Sequence, residues 1–532
     1  MKSFDTSSAV ESGGKNVDDD GGEKRTGTLM TASAHIITTV IGSGVLSLAW
    51  AIAQLGWVAG TVLLVSFAVI VNYTSRMLAD CYRSPDAGRR NNTYMDVVRA
   101  YLGGRKVQLC GLAQYGSLVG TSIGYTITAS ISLVAIGKAN CFHDKGHGAK
   151  CLVSNYPLMA AFGIVQIVLS QIPNFHKLSF LSIIATLMSF SYASIGTGLA
   201  LAALASGKVG KTGLTGTVVG VDVTESDKLW KSFQAAGNIA FSYAYSIVFV
   251  EIQACILSTR DDTLSSSPPE NIVMKKANLA GVSIATAFYI LCGCIGYATF
   301  GNQAPGDLLT DFGFMNLTGS SILLMLASLS TLSELIRLLI RYTEFKPTRE
   351  YSHEKANLAG VSIATAFYIL CGCIGYATFG NQAPETSLLT LVFAQPIFQF
   401  VEKKCNKAWP ESNFITKEHS MDIPLLGKCR VNLFRLVWRT TYVIFSTVVA
   451  MIFPFFNAIL GLIGAVAFWP LTVYFPVEMH ISQKKVKKYT MRWIGLKLLV
   501  LVCFIVSLLA AIGSIVGLIS SVKAYKPFHN LY

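Results

Sequence analysis

A glycine-serine-glycine triplet, Gly42-Ser43-Gly44, interrupts an apolar run that is long enough to cross a membrane. Glycine is a poor helix former, and lipid offers no partner to a backbone group that leaves the helical hydrogen-bond ladder. An opened backbone here would start a half-helix, whose free N–H groups and partial positive charge suit a carboxylate. The alternative is that the glycines only let two helices pack closely. The triplet therefore predicts an anion-binding break or a tight helix contact.

A second apolar run is interrupted in the same way. Within residues 235–253, AAGNIAFSYAYSIVFVEIQ, the pattern is broken by Gly237-Asn238 and again by residues 242–245. Interrupted spans at corresponding places in two halves of a chain are typical of a midplane site built from half-helix ends in an inverted repeat. The two interruptions together favour a binding site over simple helix packing.

Ionisable side chains inside spans are costly, so each one is a candidate for function. His35 lies about two turns before the triplet, and imidazole is suited to a proton switch; the alternative is a structural, hydrogen-bonded histidine. Glu251, near the end of the second interrupted run, is a second candidate for proton coupling, against a plain interfacial role. Arg435 and Arg439 are predicted to extend to the membrane surface. The sequence shows no nucleophile-base set, metal-ligand cluster or phosphate loop, so we expect neither an enzyme nor a cofactor.

Polar side chains recur every three or four residues along the third apolar run. They share one helical face and are Gln114, Ser117, Thr121, Tyr125, Thr128 and Ser132. A polar helix face of this kind does not contact lipid. It predicts either helix packing through small residues or the wall of a polar cavity, to which Tyr125 would contribute.

The composition places these features in a polytopic membrane protein. Of 532 residues, 52% are hydrophobic and 14% charged, and the mean hydropathy is +0.51. The net charge of +14 gathers in alternate loops instead of one basic stripe, which indicates membrane topology and not nucleic-acid binding. The basic loops at residues 80–108, 402–430 and 478–492 would be cytosolic. The amino terminus is then cytosolic as well, with residues 1–27 forming a polar, disordered segment.

Apolar runs of spanning length recur through residues 28–532, which we interpret as one membrane domain. They lie at about residues 29–55, 58–79, 109–136, 157–173, 178–205, 233–255, 277–300, 320–341, 387–401, 431–453, 455–477 and 496–521, with one more run in the repeated segment at residues 355–384. The loop at residues 138–156 would face outward and carries Cys141 and Cys151, for which we predict a disulfide. The carboxyl terminus would also be extracellular.

One segment of the chain is duplicated. Residues 276–305 recur without change at residues 355–384, which indicates a recent duplication or a faulty gene structure and not a solenoid. A further span between the copies would give both copies the same orientation in the membrane. The duplication therefore adds about two membrane crossings. The run at residues 387–401 is short for a span.

Five stretches of the sequence are distinctive motifs: GSGVLSLAWAIAQLGW, NIAFSYAYSIVFVEIQ, FYILCGCIGYATFGNQAP, AQPIFQFVE and MIFPFFNAILGLIGAVAFWPLTVYFPVEM. Together they closely resemble the plant amino acid permeases of the amino acid/auxin permease family. The resemblance implies an all-α, leucine-transporter-like inverted-repeat fold with about 11 core spans. It implies proton-coupled import of amino acids across the plasma membrane, with protons as the coupling ion. It also places substrate binding at Gly42, Ser43 and Gly44 and at Ala240, Phe241, Ser242 and Tyr243.

The sequence departs from the family pattern after the first copy of the repeat. Residues 315–354 resemble neither the acidic-aromatic loop nor the full eighth span of the family, so the front of that span is missing. The incomplete span leaves open a transport-impaired product, a non-transporting sensor or a channel. The carboxylate-binding break leaves open an auxin carrier of the same fold. The partners that we expect are an amino acid substrate and the lipid bilayer; the sequence leaves the oligomeric state open.

Overall fold

The computed structural model describes residues 29–85, 90–145, 154–171, 193–254, 270–308, 383–423 and 427–524. Several predictions from the sequence fall outside these ranges. They concern residues 1–27, the aberrant segment 315–354, the second copy of the repeat before Ala383, and Cys151.

Helices form nearly all of the described chain. In chain order they are α1 (Leu29–Val40), α2 (Leu48–Asp80), α3 (Tyr94–Tyr101), α4 (Gly104–Lys145), α5 (Asn155–Ser170), α6 (Ala193–Ala205), α7 (Glu225–Ser242), α8 (Ser246–Ala254), α9 (Glu270–Phe300), α10 (Ala383–Ala408), α11 (Asn413–Thr416), α12 (Leu433–Ile452), α13 (Phe456–Ala467), α14 (Phe475–Gln483) and α15 (Met491–Ala524). Two short 3-10 helices cover Ser43–Ser47 and Gly301–Gln303, and a π-helix joins α13 to α14 over Phe468–Tyr474.

Six stretches of the described chain are long and apolar enough to cross a membrane. They are Gly44–Asp80, Glu225–Gln253, Asn271–Gln303, Leu433–Ile452, Phe456–Gln483 and Met491–Lys523. Two shorter apolar helices, Asn155–Ser170 and Ala193–Ala205, lie within predicted spans. The prediction of a helical, polytopic membrane protein is confirmed.

The turn between the first two predicted spans lies inside α2. Gly56 has a φ of 81°, which L side chains rarely adopt, and it divides α2 into the end of span one and the whole of span two. A Cβ at Gly56 would collide with the backbone of Leu214, Thr215 and Gly216. The chain therefore reverses where the sequence predicts, and the turn is packed against the loop that precedes α7.

Two details differ from the predicted all-α chain. An antiparallel β-hairpin, β1 (Glu418–Ile423) with β2 (Gly427–Asn432), forms in the basic loop before α12. Its pairing is local, so it needs no sheet elsewhere. The predicted short span at residues 387–401 is part of α10, a helix of 26 residues. This helix is longer than the predicted span because polar residues at both ends extend it beyond its apolar part.

The main hydrophobic core brings the two interrupted spans together. It contains Ile36 and Ile41 around the first interruption, Tyr243 at the second, and Tyr289 of α9 and Phe468 between them. All five side chains are almost fully buried. The breaks therefore lie inside the protein, where backbone groups outside a helix are shielded from lipid.

Candidate functional site

The first interruption lies where the sequence predicts it. α1 ends at Val40, Gly42 is extended with φ −123° and ψ −155°, and a 3-10 helix begins at Ser43. The amide of Gly42 donates to the carbonyl of Val40 at 2.9 Å, and the amide of Val45 donates to the carbonyl of Gly42 at 3.3 Å. Two residues, Ile41 and Gly42, thus separate the carboxyl end of α1 from the amino end of the 3-10 helix.

The second interruption is narrower than predicted. α7 ends at Ser242 and α8 begins at Ser246, and the amide of Tyr243 donates to Ala240 O at 3.2 Å. The predicted interruption at Gly237-Asn238 is wrong, because α7 runs through both residues. Glycine within a helix costs only about 1 kcal/mol, and here Gly237 permits contact with the backbone of Gly461.

The two interruptions touch each other at Gly44 and Ser242. A Cβ at Gly44 would lie 2.5 Å from Ser242 Oγ and 2.9 Å from Ser242 Cα, closer than nonbonded atoms approach. The tight-contact interpretation of the triplet is therefore confirmed for Gly44. Its role in substrate binding stays a prediction.

A tyrosine of α9 joins both interruptions. The hydroxyl of Tyr289 hydrogen-bonds the carbonyl of Val40 and, at 2.9 Å, the carbonyl of Ser242. These carbonyls end α1 and α7, where no intrahelical donor remains for them. Sequence reasoning missed Tyr289; the available signal was a hydroxyl inside the apolar run FYILCGC.

Two aromatic rings form a wall beside the first interruption. Tyr125 of α4 is buried, and its hydroxyl would lie 3.3 Å from a Cβ placed on Gly42. Its ring stacks on Phe393 of α10, with ring centres 5.5 Å apart. The other described residues of the polar α4 face, namely Gln114, Ser117, Thr121 and Thr128, are also buried. The structure thus brings Tyr125 to the breaks, together with Phe393, which the sequence did not indicate.

The other residues predicted for substrate binding, proton coupling and the disulfide are not part of the contact between Gly44 and Ser242, and one of them lies outside the residues that the structure describes. Ala240 is buried within the last turn of α7, and Phe241 packs toward the cluster around Leu460. His35 on α1 and Glu251 on α8 both have exposed side chains. Cys141 is disulfide-bonded, and its predicted partner Cys151 lies outside the described residues.

A cavity of about 710 Å³ opens at the end of the bundle where α7 and α13 begin. Its polar and aromatic wall is formed by Trp50, Asn155, Asp227, Trp230, Lys231, Gln234, Asp307, Asn457, Ser520 and Ser521. Gln234 lies two turns above Ser242 on α7, so the cavity leads toward the breaks. We call it the entrance cavity; beyond the polar α4 face, no sequence pattern indicated it.

The loop at residues 206–224 fastens helix ends beside the entrance cavity. Lys228 Nζ donates to Gln54 O at 2.5 Å, to Thr215 O at 2.7 Å and to Thr217 Oγ1 at 3.1 Å. Asp222 accepts hydrogen bonds from the Val218 amide and from Asn302 Nδ2, each at 2.8 Å. These bonds hold the pKa of Asp222 below its usual range. We call this loop the clasp.

Ion pairs join helices at the opposite end of the bundle. Lys275 Nζ lies 2.6 Å from Asp80 Oδ1, and Glu478 pairs with Lys497 and, at 3.8 Å, with Lys106. These pairs connect the end of α2 to α9, and α14 to α15 and α4. We call this region, together with the pairs of Glu402 with Arg439 and Arg435 described next, the ion-pair end.

The prediction that Arg439 extends to the membrane surface is wrong. Its side chain is 7% exposed, and Nε lies 2.9 Å from Glu402 Oε1 while NH1 donates to Ser170 O at 2.7 Å. The guanidinium also lies over the ring of Phe398, 5.3 Å from its centre. A buried carboxylate on α10 thus holds the arginine within the bundle. Arg435 pairs with the same carboxylate at 3.3 Å but remains 40% exposed.

Comparison with known proteins identifies the family. The family model described as "Transmembrane amino acid transporter protein" matches residues 25–346, 342–392 and 387–520. The chain belongs to this family. Its boundaries at residues 342–346 and 387–392 flank the second copy of the repeat.

Relatives from Arabidopsis thaliana match the chain over its length. Amino acid permease 8 is 65% identical over 536 residues and amino acid permease 1 is 61% identical over 548 residues, each covering 100% of both chains. Amino acid permease 6 is 55% identical over 518 residues, covering 97% of this chain and 95% of its own. A crystal structure of MhsT in complex with L-phenylalanine aligns at 11% identity and a TM-score of 0.39, covering 93% and 100%. That TM-score is too low to carry an argument about the fold.

Proposed function

We propose that the chain imports amino acids across the plasma membrane together with protons. The observation that carries this proposal is the meeting of two interrupted spans at Gly44 and Ser242, with Tyr289 bonded to both helix ends. Paired helix ends within a membrane bind charged groups of both signs. Membership of an amino acid transporter family, and the permease names of relatives more than 50% identical, support a transported substrate with such groups.

The geometry fits the two charges of an α-amino acid. The amino end of the 3-10 helix at Ser43 carries N–H groups and partial positive charge for a carboxylate. The carboxyl ends of α1 and α7, at Val40 and Ser242, carry partial negative charge for an ammonium group. The rings of Tyr125 and Phe393 would bound the side chain of the substrate. In this arrangement the protein discriminates against molecules that lack one of the two charges.

Uptake of labelled alanine at two external pH values tests the proposal. A proton symporter concentrates alanine above the external level, carries inward current, and works faster at the lower external pH. The membrane potential contributes about 2.3 kcal/mol per charge per 100 mV. Uptake that only equilibrates alanine would indicate a channel, and binding without flux would indicate a sensor; either result would overturn the proposal.

We assign proton coupling to His35 or Glu251, an imidazole on α1 and a carboxylate on α8 beside the two interruptions. Both side chains are exposed at the surface of the described chain, away from the contact between the breaks. Replacing the coupling residue should flatten the pH dependence of uptake, because the transport cycle then loses its titrating group. His35→Ala and Glu251→Gln are compared; a profile unchanged in both variants would exclude this assignment. The proposed mechanism uses no cofactor.

The proposed orientation places the amino terminus in the cytosol and the carboxyl terminus outside the cell. The positive-inside rule supports it, since the ion-pair end and the basic hairpin loop before α12 lie on one side. The entrance cavity then faces outward. An epitope after Tyr532 should be labelled on intact cells, and an epitope before Met1 only after permeabilisation. The reverse pattern would refute the orientation, and labelling at an internal membrane would refute the plasma-membrane location.

A further inference from the structure

A buried histidine at the ion-pair end joins two helices. His480 lies on α14 and is 5% exposed, and its Nε2 atom lies 3.0 Å from Nη2 of Arg492 on α15. A guanidinium has donors only, so Nε2 accepts this hydrogen bond and the imidazole carries its proton on Nδ1. The bond between α14 and α15 therefore requires a neutral histidine.

The other ring nitrogen of His480 has no hydrogen-bond partner among the residues that the structure describes. Nδ1 is buried, and no described acceptor lies within reach of its proton. A buried donor without an acceptor raises the free energy of the arrangement that buries it. A movement of α14 that lets water reach the ring would remove this cost. The contact between α14 and α15 is thus favoured by one nitrogen of the ring and opposed by the other.

The charges around His480 disfavour a protonated ring. The charged and titratable groups of the elements packed around this end of α14 are Arg492 of α15, Lys275 of α9, Lys484 just after α14, Asp80 and Cys81 at the end of α2, and Tyr101 of α3. The one carboxylate of this set, Asp80, is already paired with Lys275 at 2.6 Å. A second proton on the ring would break the bond to Arg492 and add a fourth positive charge to the set.

The end of α14 also covers a thiol at the end of α2. Gln483, one turn after His480, donates from Nε2 to Asp80 O and accepts through Oε1 from Cys81 Sγ at 3.7 Å. The side chain of Cys81 is buried in this arrangement. A movement of the end of α14 away from α2 would expose the thiol, so the reactivity of Cys81 reports whether this contact is made.

We propose that His480 is a pH-sensitive latch, which holds the ends of α14, α15 and α2 together while its imidazole is neutral. Protonation of Nε2 replaces the bond to Arg492 by repulsion between two cations, and these helix ends separate. An imidazole titrates between about pH 5 and 8, where tyrosine and lysine do not. One consequence rests on the proposed function and orientation: protons that accumulate in the cytosol would release the latch and slow further import.

Alkylation of Cys81 in the purified full-length protein tests the latch without a need for transport. The wild type and His480→Gln are treated with N-ethylmaleimide in detergent at pH 7.5 and at pH 5.0, and the modified peptide is quantified by mass spectrometry. The two proteins are compared at the same pH, so the pH dependence of the thiol itself cancels. At pH 7.5 their rates should be equal, because the amide oxygen of glutamine also accepts from Arg492. At pH 5.0 the wild type should react about tenfold faster.

Two further variants keep the test decisive. His419→Gln is the matched control, since it removes a histidine of strand β1 and leaves the bond between His480 and Arg492 in place. It should react like the wild type at both pH values. Arg492→Met lacks the bond at either pH, so it should react faster than the wild type at pH 7.5 and at nearly the same rate at pH 5.0.

The outcomes separate the latch from the proposed function. Equal rates in the wild type and His480→Gln at pH 5.0 would overturn the latch, and so would an excess of Arg492→Met over the wild type that is the same at both pH values. A loss of the fast reaction at pH 5.0 in His419→Gln would assign the effect to overall histidine charge and would also overturn it. Failure of the wild type to concentrate alanine would overturn the proposed function and leave the latch in place.

Discussion

The two ends of the helical bundle are held together by different means. At the entrance cavity, Lys228 of α7 bonds a carbonyl of α2, and Asp222 of the clasp accepts a bond from Asn302 at the end of α9, so each charged group has neutral partners, and a cavity remains between the helices. At the ion-pair end, charged side chains join α2 to α9, α14 to α15, and α10 to α12. The described conformation thus has a cavity at one end and a set of ion pairs at the other.

The largest effect is expected where the ion-pair end is most buried. Arg439→Ala leaves Glu402 as a buried carboxylate without its main partner, which costs about 3–5 kcal/mol of folding free energy. Arg435→Ala is the matched control, because Arg435 pairs with the same carboxylate from a half-exposed position and should cost less than about 1 kcal/mol. Thermal unfolding of the purified protein in detergent measures both. Equal losses would show that burial does not distinguish the two arginines.

The second largest effect is expected from a substitution at the contact between Gly44 and Ser242. Gly44→Val places a branched side chain against Ser242, and the overpacking costs about 1–3 kcal/mol and separates the helix ends that form the site. Uptake should fall by about tenfold or more at similar surface abundance. Gly116→Ala on α4 is the control, since no atom lies within 4 Å of a Cβ at that position. Uptake at the wild-type rate by the Gly44→Val variant would show that the breaks do not form the substrate site.

Tyr289→Phe should have a smaller effect at the same place. It removes the hydroxyl bonded to Val40 O and Ser242 O, at a cost of about 1–2 kcal/mol. We expect a higher KM for alanine, because both helix ends lose their shared partner. Tyr297→Phe is the matched variant: it is also on α9 but bonds Gly213 and Asn302 in the clasp region. It should lower thermal stability without changing the KM; a KM shift of the same size in both variants would contradict the role of Tyr289.

The smallest effect is expected in the clasp, from Asp222→Asn. Hydrogen bonds lower the pKa of Asp222 in the folded protein, so its contribution to stability is present above the unfolded-state pKa and is lost as the pH falls through the folded value. The melting temperature of the variant should therefore lie slightly below that of the wild type, by the same amount at pH 7 and pH 5. The difference should shrink below about pH 4. A difference that instead grows on acidification would show that the neutral side chain is the preferred partner of Asn302.

The sequence predicted the interruption at Gly42-Ser43-Gly44 because a local helix-breaking signal coincides with a requirement of the membrane. It placed the second interruption correctly at residues 242–245 but also predicted one at Gly237 and Asn238, which look equally disruptive in the sequence. Gly237 packs against the backbone of Gly461 on α13, which lies more than 200 residues away in the sequence. Arg439 was assigned to the surface for a similar reason, since its partner Glu402 belongs to another helix. Local signals were sufficient for the helices and the first break, whereas contacts between residues distant in the chain required the fold.

The entrance cavity and Tyr289 were beyond sequence reasoning for a related reason. A cavity is the space left between helices, so no single segment carries its pattern. Tyr289 resembles any aromatic residue of an apolar span until its hydroxyl is placed beside Val40 and Ser242. The polar face of α4 did indicate that a side of that helix avoids lipid, and its described residues are buried.

The junction that follows the first copy of the repeat has a consequence for genetic repair. Excising residues 306–384 would leave an intact local sequence, because Gln303-Ala304-Pro305 is identical to Gln382-Ala383-Pro384. The excised residues nevertheless include Asp307, which lines the entrance cavity, and Leu308, whose amide donates to Leu46 O at 3.0 Å. Glu385 would then follow Pro305 directly and change the charge distribution at this wall. A deletion that leaves the local sequence intact would therefore replace part of the wall of the entrance cavity.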